Sequence, residues 1–378
     1  MKFILAGVYK ILVRILEDFP LKRKIIKLTK KIGIYQYLIV KYTHIRALIL
    51  RTLLFSGNDK YLGDTSLTLL GGKIVSRKKW NREIKKLRSS KTIKLGSIQN
   101  KNVDFYSNSN DKVSVISSLY RSDKFLECWI ENLKSQTIFD EVEFNIVSVE
   151  PSEFETKLLN DFQKNNRANV NIIYSGPKIG IYKAWNIALL NASGNLITNA
   201  NVDDLRRYDS LEIQRSILSQ FPFIDITYQD ILFSLSPDAT WSEIESLNQY
   251  SNFPHVTLTV LTKGLNPPHN APMWRKSLHE EFGLFDETFQ SAGDFDFWFR
   301  CFLGNKTFFK SSEKHVSYFY NPKGLSTKRN GSGLKESIQI LKKYQKLIED
   351  KGVRLHELKA EGFTTGFVHT VLSEYSEL

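Results

Sequence analysis

Two cysteines, two methionines and ten prolines in 378 residues leave several classes of protein without their building material. Cys128 and Cys301 lie far apart, with neither a Cys-x-x-Cys pair nor a Cys/His metal spacing. That excludes a disulfide framework and a zinc finger, and points to a reducing compartment. A long apolar run is missing too: residues 32–55 are the most apolar region, but Lys41, Arg46 and Arg51 cut them short of the roughly 18 to 20 residues a spanning helix needs. The stretch after Lys2 is broken by Lys10 and Arg14 and lacks a small-residue cleavage site, so no secretory signal is expected. The expected location is cytoplasmic.

What is abundant is positive charge, and it is confined to one place. Residues 1–100 hold 23 Lys/Arg against 5 Asp/Glu, whereas the rest of the chain holds 30 against 35. A basic arm on a mildly acidic body argues against a nucleic-acid-coated chain. Residues 1–55 read as amphipathic helices, with Phe3, Ile4, Val8, Ile11, Leu12, Ile15 and Leu16 at helical intervals among lysines. Two readings fit them: an arm peripheral to an anionic inner-membrane face, or a helical prefix packed on itself or on the main body. Residues 56–110 are polar, with a second basic cluster at 77–88. The run Tyr106-Ser-Asn-Ser-Asn-Asp111 reads as a linker and puts a domain boundary at 110.

From residue 111 the pattern alternates. Strands are expected at 113–116, 143–149, 170–174 and 195–200, with helices at 122–133 (Ser122 as N-cap), 153–164 and 182–191 between them. A helix at 209–218 and a strand at 224–228 follow. Such βαβ units give an α/β fold with a mostly parallel sheet, whose ligands gather at the carboxyl ends of the strands. Residues 234–272 read as an irregular, functional loop. Phe295, Trp298 and Phe299 mark one face of a helix, and residues 331–378 form a helical tail. The fourth strand ends in Asn201-Val-Asp203-Asp204; if it stays extended, Asn201 and Asp203 share a face and Asp204 turns away.

Several ordered blocks between residues 113 and 326 resemble the family-2 nucleotide-sugar glycosyltransferases of the GT-A (Rossmann-like) fold. They are Val113-Ser-Val-Ile-Ser-Ser-Leu-Tyr-Arg121, Glu150-Pro-Ser152, Gly180-Ile-Tyr-Lys-Ala-Trp-Asn186, Asn201-Val-Asp203-Asp204, and Gly283-Leu-Phe-Asp286 with Asp294. The resemblance implies a GT-A domain at 111–330 and inverting transfer of a sugar to a glycan or lipid-linked acceptor, in cell-surface polysaccharide synthesis. It also implies a divalent metal, Mn²⁺ or Mg²⁺, bound by Asp203, with Asn201 towards the ribose where the family has an acid. Asp294 becomes the catalytic base and Asp296 the fallback, although Gly293 stands where the family has a second acid.

Glu150, with Ser118 and Tyr120, would receive the nucleotide, or else is an exposed loop acid. Lys183 and Asn186 would approach the same ligand, Asn186 alternatively being structural. His269 and Trp274, in the run Asn266-Pro-Pro-His-Asn-Ala-Pro-Met-Trp274, would face the acceptor. The third metal ligand stays open between Asn321 and His315. The rival reading is a non-catalytic protein that binds polyanions or a membrane surface through residues 1–100. A nucleotidyltransferase is disfavoured, because no glycine-rich phosphate loop follows the first strand.

Overall fold

The computed structural model describes Leu70–Gly71, Arg77–Ser89, residues 111–321, residues 324–325 and Ser332–Asp350. The expected amphipathic arm at 1–55, most of the linker and residues 351–378 lie outside the described residues. In chain order the elements are β1 (Leu70–Gly71), α1 (Arg77–Ser89), β2 (Val113–Leu119), α2 (Leu126–Lys134), β3 (Glu143–Val149), α3 (Glu153–Asn165) and β4 (Val170–Ser175). Then come α4 (Ile181–Leu190), β5 (Leu196–Asn199), α5 (Ser210–Gln220), β6 (Ile226–Ser234), α6 (Trp241–Leu247), β7 (Tyr250–Ser251) and α7 (Leu258–Leu261). The last are β8 (Met273–Arg275), α8 (Ser277–Phe282), α9 (Gly293–Leu303), β9 (Phe308–Phe319) and α10 (Ser332–Asp350).

The described strands form one sheet in the order β1-β7-β6-β8-β5-β2-β3-β4, with β9 paired to β6. β5, β2, β3 and β4 run parallel, and β8 is antiparallel to both β5 and β6. This is the expected α/β class. Side chains alternate between two apolar layers: Val113 and Val115 enter one, and Ile116 enters the other, where Trp185, Trp274 and Trp298 sit. Chain order runs outward from β2 through β3 to β4, then returns to place β5 on the other flank of β2. That reversal opens a crevice at the carboxyl ends of β2 and β5.

Four expectations change. The second helix begins at Leu126, because Ser122 closes a turn through its carbonyl to Phe125 and Leu126 while its hydroxyl and backbone N–H are donated to Glu155. Residues 234–272 contain α6, α7 and β7, each too short for periodicity to reveal. α9 buries both faces, Phe297 as deeply as Phe295 and Trp298, since it runs between the sheet and α10. Finally, the basic cluster at 77–88 is a packed helix. Trp80 is fully buried in the larger core layer, and Arg88 bridges to Glu243 at 2.5 Å and Asp238 at 3.2 Å beside α6.

α1 therefore belongs to the core's stability as well as to the basic region. Trp80→Ala is expected to cost about 3 to 5 kcal/mol. The measurement is a fall in the urea midpoint with an unchanged m-value.

Candidate active site

β5 stops at Asn199, and its ladder ends where Ala200 N–H donates to Ile116 O at 3.1 Å. The next four residues turn, closed by Asp204 N–H on Asn201 O at 3.3 Å. Strand periodicity therefore does not apply, and Asn201 and Asp203 point into different hollows. Asn201 lines the main cleft, whereas Asp203 lines a smaller recess with Phe125, Cys128, Trp129 and Phe319. Asp204 is a clamp. Its carboxylate accepts from Asn201 Nδ2 at 3.0 Å and from Phe319 N–H at 2.9 Å, tying the turn to the end of β9. Burial, then the neighbouring Asp203 charge, pushes its carboxyl well above the usual range.

Asp203 is half-buried and accepts from Asn321 Nδ2 at 3.3 Å; burial raises its carboxyl, and that hydrogen bond opposes the rise. His315 is fully buried with Nδ1 on Ser210 Oγ at 2.8 Å, so of the two candidate third ligands Asn321 is the one beside Asp203. Among the described residues no group of three His, Cys, Asp or Glu gathers around a common point. A hard cation arriving on a diphosphate needs only one or two protein carboxylates. Asp203 with the Asn321 amide is a single-carboxylate donor set, in a recess beside the main cleft.

The main cleft has a volume of about 170 Å³ and also receives Asp294, ninety-three positions beyond Asn201. Asp294 lies in the first turn of α9. Ala292 is that helix's N-cap, without side-chain capping, and the Asp294 carboxylate is engaged elsewhere. Its Oδ1 accepts from Tyr182 Oη at 2.9 Å and its Oδ2 from Asn266 Nδ2 at 2.8 Å. Burial raises the carboxyl, while Asn266, Tyr182 and the nearby His269 hold it down. The Tyr182 phenol is pushed far up by burial and by the Asp294 charge, so it stays a donor. Gly293 explains its own presence: a Cβ there would meet the Tyr182 ring at 2.7 Å, leaving no room for a second acid. The preceding loop is pinned from α10, where the Glu336 carboxylate accepts backbone N–H groups of Gln290, Ser291 and Ala292 at 2.9 to 3.0 Å.

Not every expected site residue arrives here. Asp296 faces α10, accepting from Arg300, Lys343 and Tyr344 at 2.8 to 3.0 Å, and is therefore a packing residue of α9 rather than a fallback base. Asn186 is buried and braces the 285–287 turn through Phe285 N and O and Glu287. Trp274 is fully buried, donating to His279 Nε2 at 2.9 Å in the core; it faces no acceptor. Lys183 is exposed on α4. His269 does line the cleft, its ring edge-on to Phe253 and Tyr318.

At the ends of β2 and β3 stand Ser118, Tyr120 and Glu150. The Arg121 guanidinium and the Lys178 ammonium lie 5.0 and 5.1 Å from the Tyr120 ring centre. Arg121 and Glu150 both adopt left-handed φ values, 55° and 48°, a costly backbone state for non-glycine residues that clusters at functional sites. Tyr182 and Asn266 lie inside quoted runs and Glu336 in the helical tail, but nothing in the sequence marks any of them as a partner of Asp294 or of its loop.

No protein-family model matches the sequence. No curated protein matches it either. Among solved structures the chain is similar to S. aureus TarS residues 1–349 in complex with UDP, at 19% identity and a TM-score of 0.45, covering 61% of this chain and 64% of that one. The same TarS segment with UDP-GlcNAc gives 19% identity and a TM-score of 0.43 over 61% and 65%. The mannosyltransferase PcManGT from Pyrobaculum calidifontis, in complex with GDP-Man and Mn²⁺, gives 14% and 0.43 over 57% and 58%. The chain thus spans less than two thirds of the length of each of these structures.

A carboxyl raised by burial weakens the fold when ionised. That cost is absent below the ordinary value of 3.8 and grows as pH rises through the raised folded value. Asp294→Asn keeps both hydrogen bonds if the Asn266 amide turns over. The variant is therefore expected to melt at or above the parent at pH 7, the difference shrinking towards pH 4; calorimetry across that range checks it. Gly293→Ala, by contrast, is expected to destabilise by about 1 to 3 kcal/mol through overpacking on Tyr182, measured by denaturant unfolding.

Proposed function

We propose that the chain is an inverting glycosyltransferase that moves a sugar from a nucleoside-diphosphate donor to a hydroxyl of a glycan or lipid-linked acceptor. The observation that carries this is the meeting, in one cleft, of the β5 strand end and a buried, doubly hydrogen-bonded carboxylate. Asp294 accepts the proton of the attacking hydroxyl. The oxygen bonds to the anomeric carbon from the side opposite the diphosphate, and the bond to the diphosphate breaks. Tyr182 and Asn266 oppose the effect of burial and aim the base, as a general base requires.

The nucleotide lies along the carboxyl ends of β2 and β3, where Arg121 and Lys178 put positive charge beside the Tyr120 ring. Asp203, with the Asn321 amide alongside, would hold a Mn²⁺ or Mg²⁺ ion that offsets leaving-group charge. The basicity of residues 1–100 supports a peripheral position on an anionic membrane and a role in surface polysaccharide synthesis. Among the described residues no helix is long and apolar enough to cross a membrane. On α1, Trp80 is buried and Arg88 is paired, while Arg82, Lys85 and Lys86 stay exposed, so part of the helix's basic charge is spent on packing and part still faces solvent.

A panel of nucleotide sugars including UDP-GlcNAc and GDP-mannose, assayed with Mn²⁺ for slow donor hydrolysis, tests the reading without an acceptor. Turnover of at least one donor is expected. Asp294→Asn should reduce it by roughly 100- to 10,000-fold while donor binding persists; unchanged turnover removes Asp294 as base. Activity should fall with acidification at a pH above the ordinary carboxylate range, because burial raises that group.

For the cation, a nucleoside diphosphate should raise the melting temperature only with Mn²⁺ or Mg²⁺ present. Asp203→Ala should abolish that increment, and its survival would reject the site.

A further inference from the structure

Two polar atoms in the cleft have no hydrogen-bond partner among the described residues: Asn266 Oδ1 and His269 Nε2, both buried. Asn266 turns its NH₂ towards the Asp294 carboxylate, at 2.8 Å, which leaves Oδ1 as the free end. His269 packs edge-on against Phe253 and Tyr318, with ring centroids 5.3 and 5.7 Å away, which fixes its ring at the wall of the cleft. A buried polar atom that has given up water without a partner calls for an explanation, and a ligand is one.

We propose that Asn266 Oδ1 and His269 Nε2 are the specificity pair of the acceptor subsite, and that they take an uncharged sugar through two hydroxyls other than the one that Asp294 deprotonates. This deepens the glycosyl-transfer reading and rests on it for the role of Asp294. The chemistry selects the ligand. Oδ1 can only accept, a hydroxyl can donate to it, and a second hydroxyl can serve either tautomer of the imidazole. Trp185 and Tyr318 add aromatic surface for the apolar faces of a sugar ring. The Asp294 carboxylate in the same low-dielectric space disfavours a uronic acid or a phosphorylated ring.

Ligand-observed NMR by saturation transfer on the full chain, without donor, tests the pair. The probes are methyl α-mannopyranoside, its mono-deoxy analogues and methyl glucuronide. The parent is expected to bind the neutral glycoside, and to lose roughly tenfold in affinity when a hydroxyl of the pair is removed. The glucuronide should bind more weakly still. His269→Ala should bind the full glycoside no better than its deoxy analogue, and His269→Gln, which keeps a hydrogen-bonding group, should recover part of the difference.

Absence of glycoside binding to the folded parent overturns the proposal. So does equal binding of the deoxy analogues, or a preference that survives His269→Ala. If the alanine variant loses its cooperative melt, the glutamine variant and Asn266→Ala carry the comparison. Donor hydrolysis reports separately: glycoside discrimination without turnover of any donor sinks the transfer reading alone, and turnover without discrimination sinks the hydroxyl pair alone.

Discussion

A carboxyl group buried beneath the protein surface is the constraint on which the described cleft depends. Asp294 is 8% exposed, and burial works against its charge. Two directed hydrogen bonds, from different parts of the chain, oppose that effect. Tyr182 comes from α4, packed on β2 and β3; Asn266 comes from the segment leading into β8. Gly293 is small because the Tyr182 ring needs the space, and Glu336 holds the loop that starts α9. Each of these residues makes sense only with reference to that one carboxyl group.

The sheet supplies the frame. Where β5 returns to the flank of β2, the strand ends part, and the chain leaves both β2 and β3 through left-handed residues, Arg121 and Glu150. Asp204 closes the neighbouring edge by joining the β5 turn to β9. Arg121 and Lys178 stand on the β2–β4 side and the buried Asp294 carboxyl on the side of the segment leading into β8. A donor rich in phosphate and an acceptor rich in hydroxyls would therefore meet different chemistry across one crevice.

The βαβ region was legible because its signals are local. Strands β2 to β5 and helices α3 and α4 follow from apolar runs and periodicity, to within a few residues. The order of motifs put the 201–204 stretch and Asp294 in one site; the structure brings Asn201, and not Asp203, into the cleft with Asp294. What periodicity could not supply is direction after regular structure ends: Asn201 and Asp203 diverge because the chain turns at Ala200, a fact settled by hydrogen bonds to Ile116 and Phe319. Asp296, Asn186 and Trp274 carry the residue types of a site but are taken by other partners, Lys343 and Tyr344, Phe285, and His279 respectively, the last only five positions away in sequence. Glu336 was invisible for the converse reason. It is an ordinary surface acid on a helix until the loop at 290–292 is folded against it.

That attachment has a consequence in time. The sheet, Asp203 and Asp294 all precede α10 in the chain, so a polypeptide emerging from the ribosome can assemble its strands before the residues that fix the base exist outside the exit tunnel. Until Glu336 appears, the three N–H groups before α9 lack that carboxylate, and the first turn of the helix meets Tyr182 and Asn266 without the brace from α10. The scaffold can therefore form before the piece that completes its cleft.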